Sequence, residues 1–401
     1  MPKAHRYCVR TAAAMLLALL CGAVKAEDTA ALRLLRQIQQ LQNQHGTLSI
    51  EQLPPLIELG ELYSHGRCED ALEILDLALD VSRRNEGLLN PHQLEIYTPL
   101  INCYITLDRP ADVRNAQQYV LLINETRYGK QDPELLPALE QIARRYEEAG
   151  LYLSARRLQQ RALDIAEATS GKNDLSLVTP LRGMARAFRL EYKYGLAAPD
   201  VAELSGEYDL ASSASFQDRF NVRLDSLGRR SLERAVTILR AHANSSSRAA
   251  DRTQYLDTLL ELADWYQICD QRRANKTYRA LWQELSGDGR TDVLDSVEAL
   301  FVQPKSGGQL LRRPPPDPDR YQQYTVDLDY TVTRDGVAKD ITVTESNAPK
   351  DLEHRAVEAL KQTQFRPRYE NGEPVETTGL HNRQSIYGER RAAREVQTAV
   401  R

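Results

Sequence analysis

Seven histidines, His5, His45, His65, His92, His242, His354 and His381, are scattered along the chain, and none stands beside a Cys or a carboxylate at a metal-ligand spacing. No glycine-rich dinucleotide fingerprint, phosphate loop or Gly-x-Ser-x-Gly nucleophile turn occurs. Tyr63, Tyr146, Trp265, Tyr266 and Tyr278 fall on or beside apolar helical stripes, which is the pattern of packing residues. Asp264 occupies a position within the same pattern and reads as a structural residue rather than a catalytic acid. The chain thus offers no catalytic residue, no cofactor site and no metal site. It reads as a non-enzymatic protein without a small-molecule substrate, whose work is done by surfaces.

The bulk properties agree with that reading. The 401 residues suffice for two or three domains, and 42% hydrophobic with 27% charged residues suits folded, water-facing units. Residues 1–26 form a separate leader. Lys3, Arg6 and Arg10 precede an apolar run of 13 residues, Ala12 to Val24, and Val24-Lys25-Ala26 offers a small-residue cleavage site. A run of that length spans roughly 20 Å as a helix, whereas crossing a bilayer takes about 20 residues. The expectation is a signal peptide cleaved after Ala26 and release into the periplasm. The alternative is an uncleaved N-terminal anchor in the inner membrane. Leu20 disfavours lipid attachment at Cys21. The leader holds four Lys and Arg and no acid, so the remainder carries 48 basic against 56 acidic side chains, net −8, with no basic stripe. A nucleic-acid partner is excluded on that ground. Of the cysteines beyond the leader, Cys68 and Cys103 fall in neighbouring repeats. They either pair or, with Cys269, serve as small half-buried packing residues.

The elements that would build such surfaces show as a repeat. Gly87, Gly129 and Gly171 lie 42 residues apart, each followed by a polar restart at Asn90-Pro91, Asp132-Pro133 and Asn173-Asp174-Leu175. Ahead of each glycine runs a stripe at i, i+4 and i+7: Ala71/Leu75/Ala78, Ala116/Val120/Ile123 and Ala155/Gln159/Ala162, with a further set at Ala274/Tyr278/Leu281. Leu59 to Tyr63, Ile142 to Tyr146 and Leu262 to Tyr266 share a small residue followed three positions later by Tyr. With these features the region from 50 to 290 resembles the tetratricopeptide repeat, in a variant with longer helices. The resemblance implies an all-α solenoid, held by nearest-neighbour interfaces, with a concave surface for peptides or proteins. Residues 192–227 break the pattern and read as a loop inside a fourth hairpin that resumes at Ser231.

Helical patterning ends near Phe301-Val302-Gln303-Pro304, and a proline-rich stretch follows, reaching about 50 Å at most as an extended chain. Tyr324 to Thr333 then alternates with period two, Asp335-Gly336 signals a hairpin turn, and Ile341 to Ser346 reads as the return strand. Asp351 is placed to cap a helix to about Gln364, with Leu352, Ala356, Ala359 and Leu360 on one face. Phe365-Arg366-Pro367 ends it, and Asn371-Gly372-Glu373-Pro374-Val375 leads into a last strand near Val375 to Tyr387. This order of features resembles the TonB C-terminal domain, a small α/β unit. The expected division is therefore a leader 1–26, a tetratricopeptide-like solenoid 27–302, a linker 303–320, a TonB-like domain 321–388 and a polar tail 389–401.

The resemblance implies that the last strand is an edge which captures a protein segment by strand addition, a process that needs free backbone groups and no catalytic residue. The positions carried over are Val375, Thr377, Leu380, Asn382, Gln384 and Ile386. The implied partners are proteins, an outer-membrane transporter or another envelope complex. The sequence departs from the family in its polar Gly379 to Gln384 stretch, its short apolar leader and its short linker, so force transduction is not implied. Two functions stand open. One is an envelope adaptor that binds partners through both modules. The other is a structural or assembly scaffold whose TonB-like domain only caps or dimerises.

Overall fold

A computed structural model describes residues 29–194, 214–245, 249–287, 289–302 and 321–389. The leader 1–26, the proline-rich segment and the basic tail beyond 389 lie outside the described residues. The described residues divide into two compact units, one up to Ile165 and the other from Ala166 onward.

The first unit is helical. Helix α1 (29–45) is followed by α2 (Leu53–Ser64), α3 (Cys68–Glu86), α4 (Gln93–Thr106), α5 (Pro110–Tyr128), α6 (Leu136–Glu148) and most of α7 (Tyr152–Ser170). The 42-residue period has a local cause. Gly87 and Gly129 close α3 and α5 with φ of 95° and 104°, and Gly171 follows α7 with φ of 88°, backbone that a side chain would strain. The restart residues are caps. Asp132 accepts a hydrogen bond from the Glu134 amide at 2.8 Å, Asp174 from the Ser176 amide at 2.9 Å and Asn90 from the Gln93 amide at 3.3 Å. A third element of the repeat tethers successive hairpins. The Tyr119 hydroxyl donates to the Leu88 carbonyl at 2.5 Å, the Arg161 guanidinium to the Lys130 carbonyl at 2.7 Å and Arg234 to the Lys172 carbonyl at 2.8 Å. Leu135 and Leu139 pack with Ala162 and Ile165, giving one interhelical core of the array.

The second unit begins within α7 and holds α8 (Val178–Tyr194), α9 (Ala214–Ser245), α10 (Ala249–Cys269) and α11 (Gln271–Gly287). Helix α9 starts at Ala214, 17 residues ahead of Ser231, so much of the stretch read as a loop is helix. Between Ala214 and Arg230 the sequence has no proline, and Arg and Leu recur, while its one glycine, Gly228, lies against the Trp265 ring of α10 where a Cβ would collide.

Strand β1 (Glu298–Val302) stands where helical patterning was expected to end. After the proline-rich segment come β2 (Tyr321–Val332), β3 (Ala338–Ser346), α12 (Lys350–Lys361), β4 (Thr363–Arg366), β5 (Arg368–Glu370), β6 (Glu373–Val375) and β7 (Thr377–Glu389). The helix stops three residues short of Gln364. Thr363 turns its hydroxyl back onto the Ala359 carbonyl at 2.8 Å, and the chain then pairs as β4 with β1. Strands β3, β2 and β7 form a sheet in that order, all antiparallel, while β5 and β6 form a hairpin. One face of the sheet, with Tyr324, Val326, Leu328, Tyr330 and Val332, packs on Leu352, Ala356 and Leu360 of α12 and on Phe365.

Candidate functional site

The final strand is the site's main element. It pairs with β2 without interruption from Tyr321↔Glu389 to Tyr330↔Leu380, and the first register shift comes only between Tyr330 and Val332. Among the described residues no strand pairs with the far side of β7. The opposite edge, β3, is blunted. Its pairing with β2 shifts register twice, Asp340 has a φ of 52°, and Lys339 pairs with Glu376 at 2.9 Å. Bulges and charges of this kind keep an edge from pairing, whereas on β7 the irregularity is confined to the start of the strand, where Gly379 has a φ of 70° and the register with β2 shifts, and Leu380 to Glu389 run without one.

The last strand expected from the sequence is divided in two. Val375 ends β6 and pairs with Arg368 inside the β5–β6 hairpin, so it is not part of β7. Glu376 intervenes, and Thr377 begins β7 opposite Val332. Leu380, Asn382, Gln384 and Ile386 alternate onto the face that meets α12. Ile386 is buried in the core, while Leu380, Asn382 and Gln384 are half-buried. Period two therefore exposes His381, Arg383 and Ser385 on the other face, which the sequence reading did not select.

That outer face is organised by charge. Arg383 grips Asp327 of β2 through two hydrogen bonds of 2.8 and 2.7 Å, and His381 lies 2.9 Å from Asp329 and 3.3 Å from Asp327. Hydrogen bonding to Arg383 holds the Asp327 carboxyl below the usual carboxylate range, and the Asp329 hydrogen bond raises His381 above the usual imidazole range. These cross-strand pairs add to the hold of β7 on β2 on the face opposite the core.

A second cluster lies where the small domain meets α10 and α11. The Arg366 guanidinium, 4% exposed, stands 3.2 Å from both oxygens of Asp264 and also bonds Glu298 of β1. Asp264 accepts a 2.6 Å hydrogen bond from Tyr278. Burial pushes Asp264 up, against the pull of Arg366 and Tyr278. The reading of Asp264 as a structural position agrees with this pairing, but no spacing in the sequence pointed to Arg366 as its partner. In the first unit a cavity of about 110 Å³ lies between α4, α5 and α6, lined in part by Tyr97, Ile101, Gln117, Asn124, Ile142 and Arg145. Cys68 and Cys103 are buried free thiols, and burial with the contact to Cys68 pushes Cys103 up to about 12. Cys269 is exposed rather than packed.

Residues 319–383 match the family model of the Gram-negative bacterial TonB protein C-terminal. The TonB-like domain thus takes in the β2–β3 hairpin, α12 and the first half of β7. A comparison with curated proteins gave no significant match to the chain. Among solved structures the chain is similar to a Podosopora anserina protein of the kinesin light chain kind with nearly identical TPR-like repeats, at 19% identity and a TM-score of 0.40 over 59% of this chain and 97% of that one. A second is BtubC (BKLC) from P. vanneervenii, at 14% identity and a TM-score of 0.38 over 67% of this chain and 92% of that one.

Proposed function

We propose that the protein is a non-catalytic adaptor of the Gram-negative envelope, which binds one protein over its helical hairpins and takes up a segment of another as a strand added to β7. The observation that carries the reading is the contrast between the two edges of the TonB-like sheet: among the described residues β7 runs regularly from Leu380 to Glu389 with no strand on its far side, and β3 is bulged and charged. Strand addition draws its affinity from backbone hydrogen bonds and its selectivity from alternate side chains. The partner strand would meet His381, Arg383 and Ser385 on one face and Asn382 and Gln384 on the other. Export into the periplasm through the 1–26 leader belongs to this proposal. No described helix is long and apolar enough to cross a membrane. An outer-membrane transporter is the partner class that the family match suggests.

The test is affinity capture from envelope extracts with tagged full-length protein. The wild type retains an envelope protein that a His381→Lys/Ser385→Lys variant, checked for native circular dichroism, loses. Equal retention by both sinks strand addition. The scaffold reading draws support from the close packing of the small domain on α10 and α11. Light scattering tests its dimerising form: a stable dimer held through β7 supports the scaffold and occupies the edge, and a monomer leaves the edge to a partner strand.

A further inference from the structure

The chain on either side of the proline-rich segment folds into one body. Strand β1, which precedes that segment, pairs antiparallel with β4, which follows it, from Glu298↔Arg366 to Val302↔Thr363. Both turns of the small domain rest on the last helical hairpin. The Gln267 amide of α10 donates to the Asp335 carbonyl at 2.9 Å, and Arg279 of α11 pairs with Glu373 at 2.7 Å. Gly336 has a φ of 74°, and a Cβ there would collide with the Phe365 carbonyl and the Gln267 amide, so the turn is shaped to the helix it touches. The rings of Tyr278 and Tyr369 stand 4.9 Å apart.

The Arg366 cluster lies at the centre of these contacts. A guanidinium this deeply buried is tolerable only while its carboxylate partners are in place, and removing one strands the other charge out of water. Its partners come from two elements outside residues 319–383: Asp264 from α10 and Glu298 from β1. We propose that the TonB-like domain is a fixed cap on the α10–α11 hairpin, latched by Arg366 between Asp264 and Glu298, and that its folding unit is 249–302 together with 321–389. Segment 303–320 then joins two points of one body, and its length does not set how far the domain reaches. A partner strand held on β7 is held rigidly to the helices. The cap does not depend on whether β7 takes up a strand.

The experiment places a site for a sequence-specific protease within 303–320 of the full-length protein. After cutting, the two pieces are run together on a sizing column at micromolar concentration. The cap predicts that they co-elute one to one. An Asp264→Ala variant, which leaves the buried Arg366 guanidinium without its buried carboxylate, cut in the same way, separates, with association weakened about a hundredfold or more. A Ser385→Lys control at the free edge co-elutes like the wild type. Wild-type pieces that part on cutting overturn the cap. Pieces of the Asp264→Ala variant that stay together as tightly as the wild type overturn the latch.

Discussion

Asp327 is the hinge of the sheet's outer face, because Arg383 and His381 both reach back from β7 to it. Its neighbour Asp329 raises the His381 pKa, so the imidazole keeps its proton above the usual value of about 6.5. The sign of the pH effect follows. What protonated His381 contributes to stability is fully present below about pH 6.5 and is lost as pH rises through the higher value of the folded state. Asp327 works in the opposite sense: its contribution is present above about pH 3.9 and is lost as pH falls through its depressed value. An NMR titration of the His381 ring should give a midpoint above the usual one in the wild type and a lower midpoint in Asp329→Asn, where Asp327 alone still faces the imidazole. A normal wild-type midpoint would contradict the pairing. The thiols offer a second check at this scale. Cys269 should be alkylated within minutes in native protein at pH 8, whereas Cys68 and Cys103 should react only on unfolding, as mass spectrometry of the peptides would show. Rapid labelling of Cys103 would refute its burial.

At the scale of elements, the helix starts and the sheet core carry separate stabilities. Asp132→Ala removes the cap that satisfies the Glu134 amide and should cost about 1 kcal/mol in urea unfolding. Leu328→Ala empties a fully buried position under α12 and should cost about 2–5 kcal/mol; a loss under about 1 kcal/mol would mean the core is not closed there. The caps and glycines were legible in the sequence because each acts within its own few residues, and their 42-residue spacing repeated the signal. The β2–β3 hairpin was legible for the same reason, through Asp335-Gly336. Strands β1 and β4 were not, since each is short and owes its extended shape to a partner more than 60 residues away. The division of β6 from β7 escaped as well. Period two shows that residues alternate, but not that Glu376 turns the chain from one hairpin into another sheet. The same limit applied to the site. Leu380, Asn382, Gln384 and Ile386, read from the sequence as partner-binding positions, lie on the face that meets α12, and only the register with β2 shows which parity meets the helix.

For the whole molecule, the β7 edge and the helical hairpins are the two surfaces on which an adaptor depends, and the small domain that carries the edge packs on the last hairpin. The edge carries the central claim, and a photo-crosslinking amino acid tests it directly. Installed at Ser385 on β7 and, in a second variant, at Thr342 on β3, it reports which edge a partner covers in Gram-negative cells expressing the full chain. The account predicts a discrete adduct with an envelope protein from position 385 and none from 342. Adducts from 342 alone, from both positions equally, or from neither would contradict it.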